Sequence, residues 1–321
     1  MRRGLPILLA AALAFPAGAA AATQLPDPGR YAPEVRLAEG ETLFPVRPEG
    51  FIAHSDLVWY GCGATASSRQ TGVDPVRLGS AAADPYRSPP YWADGRPGCP
   101  PGPAPGQTVT FGAGEWTRPL GGGPRPGVLL RYPANGFALD LRDEFRPGNH
   151  DLTRVPITYE SGRIGSGSWI TYWLFYAFNA KEKGQHEGDW ERVSVRFDSR
   201  AKPTRIAYYA HNGAPRVCAF ADVGRIAGRH PVVFSARGSH ASYPSAGDRV
   251  GASGKVDHTD DTGTRWRTWV SGIRSPQVPW YGFGGAWGER GADRGTTGPP
   301  GPGQRTPHDW DTGRRKRCDK P

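Results

Sequence analysis

SWITYWLFYAFNAKEKGQHEGDWERVSVRF, residues 168–197, is the stretch around which the rest of the chain arranges itself. Residues 169–178 are an almost unbroken apolar run. Apolar side chains on both faces predict a strand central in a sheet. A membrane helix needs about 20 apolar residues, so this run is too short to be one. Residues 190–197 alternate, with Val193, Val195 and Phe197 on one face and Arg192, Ser194 and Arg196 on the other, the period of a half-buried strand. The polar loop between the two runs delivers His186, Glu187, Asp189 and Glu191 within six residues. Three acids and an imidazole that close together are costly unless something compensates their charge. A bound divalent cation is the simplest compensation.

Outward from this stretch the pattern stays β-like. Residues 155–159, 205–210 and 231–236 are rich in Val, Ile, Tyr and Phe and read as strands. Residues 108–111, 129–132 and 137–141 are shorter candidates, the last two joined by a turn at 133–136. Residues 31–59 read as extended segments with turns, and 61–123 as loop. No segment carries a long amphipathic helical period. The expected fold is mainly β, an antiparallel β-sandwich with long Pro/Gly-rich loops and few helices. Gly and Pro together number 78 of 321 residues, close to a disordered composition. Eleven Trp, twelve Tyr and twelve Phe argue for a packed domain instead. The aromatics of the Gly/Pro-rich tail (Trp280, Tyr281, Phe283, Trp287 and Trp310) are expected to pack on the domain surface.

Residues 1–22 read as a secretory signal peptide: Arg2 and Arg3, an apolar run over 7–15, then small residues to Ala22. The remaining chain divides into a single domain over 23–303 and a basic tail over 304–321, and no later stretch is apolar enough to span a membrane. An exported, extracellular protein is the expectation. Cys62, Cys99, Cys218 and Cys318 then form two disulfides, with Cys62–Cys99 and Cys218–Cys318 the expected pairs. Zinc is the rival use, but none of the four stands in a CxxC pair. Without Arg2 and Arg3 the formal charge of +10 becomes +8. That favours anionic surfaces, but the positive charges are scattered, so no specific nucleic-acid partner is implied.

His186, Asp189 and Glu191 follow the pattern H-x-x-D-x-E. Asp189 and Glu191 lie two apart and share a face of the strand. Gly188 permits the bend that brings His186 towards them. One imidazole and two carboxylates form a mixed site in which hard oxygen donors favour Mg²⁺ or Ca²⁺, with Glu187 a further donor. The alternative is an ion-pair cluster neutralised by Arg192 or Arg196. His211 and His240 each stand at a strand end, where site residues gather, and are the candidate general acids or bases. There is no Walker A loop, GxSxG elbow or HExxH. Ser239 beside His240 is a weak nucleophile candidate, since neighbours on a strand point apart. Asp260-Asp261 suits either calcium or a solvated turn, and Trp266 and Trp269 either a sugar surface or the core.

The motifs YAPEVRLAEGETLFP, VPITYE, ITYWLFYAFN, HEGDWERVSV, YYAHNG, HPVVFSARGSHASYP and GPPGPG, from about Tyr31 to about Gly303, resemble in their order the vacuolar protein sorting-associated protein 62 family. That resemblance implies no established activity. HEGDWE is also similar, more distantly, to the GHRHDWE heptapeptide of necrosis- and ethylene-inducing-peptide-like proteins. This second resemblance implies a β-sandwich whose divalent cation engages a lipid headgroup. It places His186, Asp189 and Glu191 in the ligand slots, with Asn179 where that family has a further acid and Gly188 where it has a second histidine.

Three functions are compatible with these features. One is an exported binding protein whose metal-bearing loop recognises an anionic cell-envelope glycan or lipid headgroup. Another is a metal-dependent hydrolase, a phosphodiesterase or polysaccharide-degrading enzyme, using His211 or His240. The last is a structural cell-surface protein without a metal. An open cleft holding both histidines would favour the enzyme, and a buried, neutralised cluster the structural protein.

Overall fold

The computed structural model describes residues 25–60, 66–70, 136–141, 151–181, 184–211, 214–250, 254–274, 277–283, 286–289, 298–305 and 316–318. The leader over 1–22, Cys62, Cys99, Trp310 and the strand candidates at 108–111 and 129–132 lie outside the described residues.

The apolar run is the strand Gly167–Asn179, buried along nearly its whole length. It pairs antiparallel with Ile157–Ile164 on one side and with the motif strand His186–Phe197 on the other. Pro203–Tyr208 and Arg216–Ala219 extend the same sheet antiparallel. Short parallel strands, Ile273–Arg274 and Lys316–Arg317, form its two edges, making seven strands in all.

A second sheet covers one face. Its order is Arg225–Ile226, His230–Ser235, Glu34–Leu37, Arg265–Arg267, with Ser242–Tyr243 also paired to His230–Ser235. Residues two apart on the central strands (Ile170, Tyr172, Leu174, Tyr176 and Val193, Val195, Phe197) meet Val35, Leu37, Val233 and Trp266 across the gap. Burying each aliphatic or Phe side chain contributes about 1.5–3 kcal/mol. The architecture is the expected mainly β sandwich. Antiparallel ladders form the centre of the large sheet, while Glu34–Leu37 runs parallel to His230–Ser235 in the smaller one. The α-helices among the described residues have four, six and four residues, and none is long and apolar enough to cross a membrane.

The other face of the large sheet carries an aromatic layer. Phe175 lies 4.5 Å from Trp190 between ring centroids, Trp190 5.2 Å from Trp287, and Trp280 5.6 Å from Trp287. The tail aromatics are therefore interior rather than laid on the surface, with Trp280, Phe283 and Trp287 all buried. Two glycines permit this. Gly188 has φ +56°, and a Cβ there would collide with the carbonyl of Trp287. A Cβ at Gly301, in the GPPGPG run, would strike the Trp287 indole.

Two strands outrun their sequence pattern. Ile157–Ile164 continues through polar Glu160 and Arg163 because the ladder to residues 167–173 carries it. The motif strand starts at His186, so the acids belong to a paired strand and not to a free loop: Asn179 opposes His186, Tyr176 opposes Asp189 and Leu174 opposes Glu191. The Cys218–Cys318 disulfide forms as expected and fastens Lys316–Arg317 to Arg216–Val217.

Candidate functional site

Strand pairing puts Asp189 and Glu191 on the face that meets the smaller sheet, and both are buried. Asp189 is held by two donors. His240 Nδ1 lies 2.8 Å from its Oδ2, and Asn179 Nδ2 donates to the same oxygen at 3.3 Å. Asn179 also accepts from the Lys181 amide at 3.1 Å through Oδ1. The amide donates through one atom and accepts through the other. A carboxylate at 179 would add a second negative charge against Asp189.

His240 is fully buried. It arrives on a tight turn in which its own amide donates to the Ala236 carbonyl at 2.8 Å and Ala236 N donates to Ala241 O at 3.0 Å. Ala180 N pins the turn to the apolar strand by donating to Gly238 O at 2.9 Å. The backbone of His240 is left-handed, φ +53°, a conformation a non-glycine residue adopts only when its surroundings impose it. Its ring stacks on Tyr176 at 3.8 Å between centroids, 4° from parallel. Among the described residues Nε2 has no hydrogen-bond partner, and Glu41 Oε2 lies 3.7 Å away. Glu41 is itself fixed by the Gly238 amide at 2.6 Å and by the amides of Thr42 and Leu43. The imidazole is thus sandwiched between two carboxylates.

A fourth acid, Asp257, completes the cluster. Asp257 Oδ2 accepts from Tyr243 OH at 2.6 Å and lies 2.7 Å from His211 Nε2. Its Oδ1 accepts from Ser239 Oγ at 2.8 Å, and Lys181 Nζ stands 3.5 Å away. Burial alone would raise the Asp257 carboxyl, but the His211, Tyr243 and Ser239 partners outweigh it and hold the group well below the usual carboxylate range. Glu191 goes the other way. Burial first, then the charge of Asp189, push its carboxyl well up, and Arg305 and Arg192 offset only part of this. Arg192 stacks on Tyr209 with its Cζ 3.9 Å from the ring centroid, and Arg196 donates to the Ile164 carbonyl at 3.0 Å.

The structure therefore brings together Asp189, Glu191, Asn179 and His240, and joins His211 to them through Asp257. His186 lies apart, its Nδ1 2.8 Å from the carbonyl of Gly188 and 3.2 Å from that of Glu187. Glu187 turns to the tail, where its Oε2 accepts from Glu289 N at 3.0 Å. Glu41 and Asp257 are the members the sequence pattern did not single out. Ser239 serves Asp257 and makes no nucleophile–imidazole pair among its described bonds. Asp260 caps its own turn, accepting from the amides of Thr262 and Gly263. Trp266 is core, and Trp269 stacks on His230. Among the described residues no group of three or more His, Cys, Asp or Glu side chains is arranged to hold a metal ion.

Vacuolar protein sorting-associated protein 62 of Saccharomyces cerevisiae is 27% identical over 217 residues, a match covering 51% of this chain and 46% of the yeast protein. The chain thus matches less than half the length of that relative. Among solved structures, Necrosis and Ethylene inducing Protein 2 from the causal agent of cocoa's witches' broom disease aligns with a TM-score of 0.28 and 15% identity, over 41% of this chain and 56% of that one. NLPPya in complex with mannosamine aligns with a TM-score of 0.28 and 16% identity, over 41% and 55%. The segment that carries Asn179, Asp189, Glu191, His211, His240 and Asp257, residues 166–265, matches the family of Vacuolar protein sorting-associated protein 62.

Proposed function

We propose that the chain is an exported binding protein whose acidic cluster takes a divalent cation, Mg²⁺ or Ca²⁺, and through it a glycan or lipid headgroup. The observation that carries this is the pair Asp189 and Glu191, two buried carboxyls on one strand face, of which Glu191 is driven towards its neutral form. A buried acid pair is relieved when a cation joins it. The nearby donors, Asp189, Glu191 and Glu41, are hard oxygens and suit either ion in kind. They are not spaced to hold an ion as they stand, and Asp189 is held by His240, so cation entry requires these side chains to move. Export is supported by the residue order of 1–22 and by a disulfide that belongs to an oxidising compartment.

The hydrolase reading fares worse. Of its candidate groups, His240 is fully buried and Ser239 bonds to Asp257 rather than to an imidazole. The structural reading is favoured by one observation: Asp257 is satisfied by its neighbours without any ion. Screening immobilised glycans and lipid headgroups with the mature chain, in Ca²⁺ or Mg²⁺ and again in chelator, separates the two. Retention that the chelator abolishes supports the binder. Absence of cation-dependent retention supports the structural protein.

A further inference from the structure

We propose that His211 and Asp257 form a proton-transfer dyad that hydrolyses uncharged carboxylic esters, independently of any cation in the acidic cluster. Asp257 is buried, Tyr243 OH and Ser239 Oγ donate to it at 2.6 and 2.8 Å, and the Lys181 ammonium stands 3.5 Å away. A carboxylate so surrounded is ionised and has no proton to give. The 2.7 Å contact from Asp257 to His211 Nε2 therefore places the hydrogen on Nε2. The neutral imidazole then carries its basic lone pair on Nδ1. Among the described residues Nδ1 has no hydrogen-bond partner, and the His211 side chain is 51% exposed. A buried carboxylate behind the ring and an open basic nitrogen in front is the arrangement of a general base. The His211 backbone is left-handed, φ +55°, a conformation that surroundings impose and that gathers at functional sites.

The surroundings select the substrate. Asp257 is near enough to the acidic cluster for its charge to push the Glu191 carboxyl further up. The cations beside the dyad are already committed. Lys181 reaches Asp257 and the Val256 carbonyl, and Arg216 and Arg249 stand over the Tyr243 ring. A phosphodiester would meet negative charge here without a cation to hold it, whereas an uncharged ester would not. In the reaction, Nδ1 takes a proton from water while the water oxygen bonds to the ester carbonyl carbon. The imidazolium, facing ionised Asp257, returns that proton to the alcohol oxygen as its bond to the carbonyl carbon breaks. An acid and an alcohol leave, and the imidazole is neutral again. His211 is the catalytic residue and Asp257 the positioning one.

Hydrolysis of p-nitrophenyl acetate by the chain over residues 23–321, in EDTA, tests this against free 4-methylimidazole at equal concentration. The wild type should be about tenfold or more faster, and His211→Ala and His211→Gln should both lose that excess. Bis(p-nitrophenyl) phosphate should not be cleaved. Imidazole nitrogen NMR of the wild type should find the hydrogen of neutral His211 on Nε2. Asp257→Asn should redistribute it between the two nitrogens and slow ester hydrolysis about tenfold or more. A wild type no faster than 4-methylimidazole would overturn the proposal, as would a rate kept by His211→Gln or a hydrogen found on Nδ1. A rate that needs Ca²⁺ or Mg²⁺, or cleavage of the phosphodiester, would overturn it too and assign the chemistry to the acidic cluster. Cation binding measured by calorimetry stands or falls separately.

Discussion

His240 Nδ1 lies 2.8 Å from Asp189 Oδ2 across 51 residues of sequence, with neither side chain open to solvent. This contact ties the turn after one sheet's strand to the central strand of the other. Truncating one partner of a buried pair leaves the other uncompensated and costs about 3–5 kcal/mol. His240→Ala should lower stability by that amount in urea unfolding. Asp189→Asn in the same background should recover part of it, and a double-mutant cycle reads the coupling.

Asp257 sets an acid limb. Its carboxyl is depressed in the folded state, so its contribution is present above the unfolded value of about 3.9 and is lost as pH falls below that. Urea midpoints of the wild type should fall progressively as pH drops below about 4. Asp257→Asn should be less stable at neutral pH and should flatten that limb.

Glu191 has the opposite sign. A carboxyl raised in the folded state stabilises below the unfolded value of about 4.3 and loses that contribution as pH rises through its folded value. Metal-free Glu191→Gln should therefore be more stable than wild type at pH about 7, and the difference should vanish below about pH 4. Thermal unfolding across that range checks it.

How far the sequence leads is visible in these residues. The alternation of residues 190–197 and the doubly apolar run before it predict the central strands, and Asp189 and Glu191 mark the site. Glu41 is invisible to such a reading, since it meets the His240 turn through a bond spanning 197 positions. Asp257 is likewise one acid in a polar hairpin until His211, Ser239 and Tyr243 converge on it. His186 has its Nδ1 against the carbonyls of its own strand, a contact that spacing alone does not reveal. The aromatic tail is read too shallowly, because only the close approach at Gly188 and Gly301 lets it sink into the core.

The Cys218–Cys318 bond closes a separation of 100 residues. Loop-closure entropy gives such a bond about 4–5 kcal/mol of stabilisation. Cys218→Ala/Cys318→Ala should lower the unfolding midpoint accordingly. It should also free the Lys316–Arg317 strand, so that trypsin cleaves there in the variant and not in the oxidised wild type.

Calorimetric titration of the metal-stripped chain over residues 23–321 with Ca²⁺ and Mg²⁺, run beside Asp189→Ala and Glu191→Gln, reaches the central claim most directly. Saturable binding to the wild type, lost in Asp189→Ala and weakened in Glu191→Gln, is the expected result. A folded wild type that takes up neither ion would contradict it and leave Asp189, Glu191 and His240 as a buried polar lock between the two sheets.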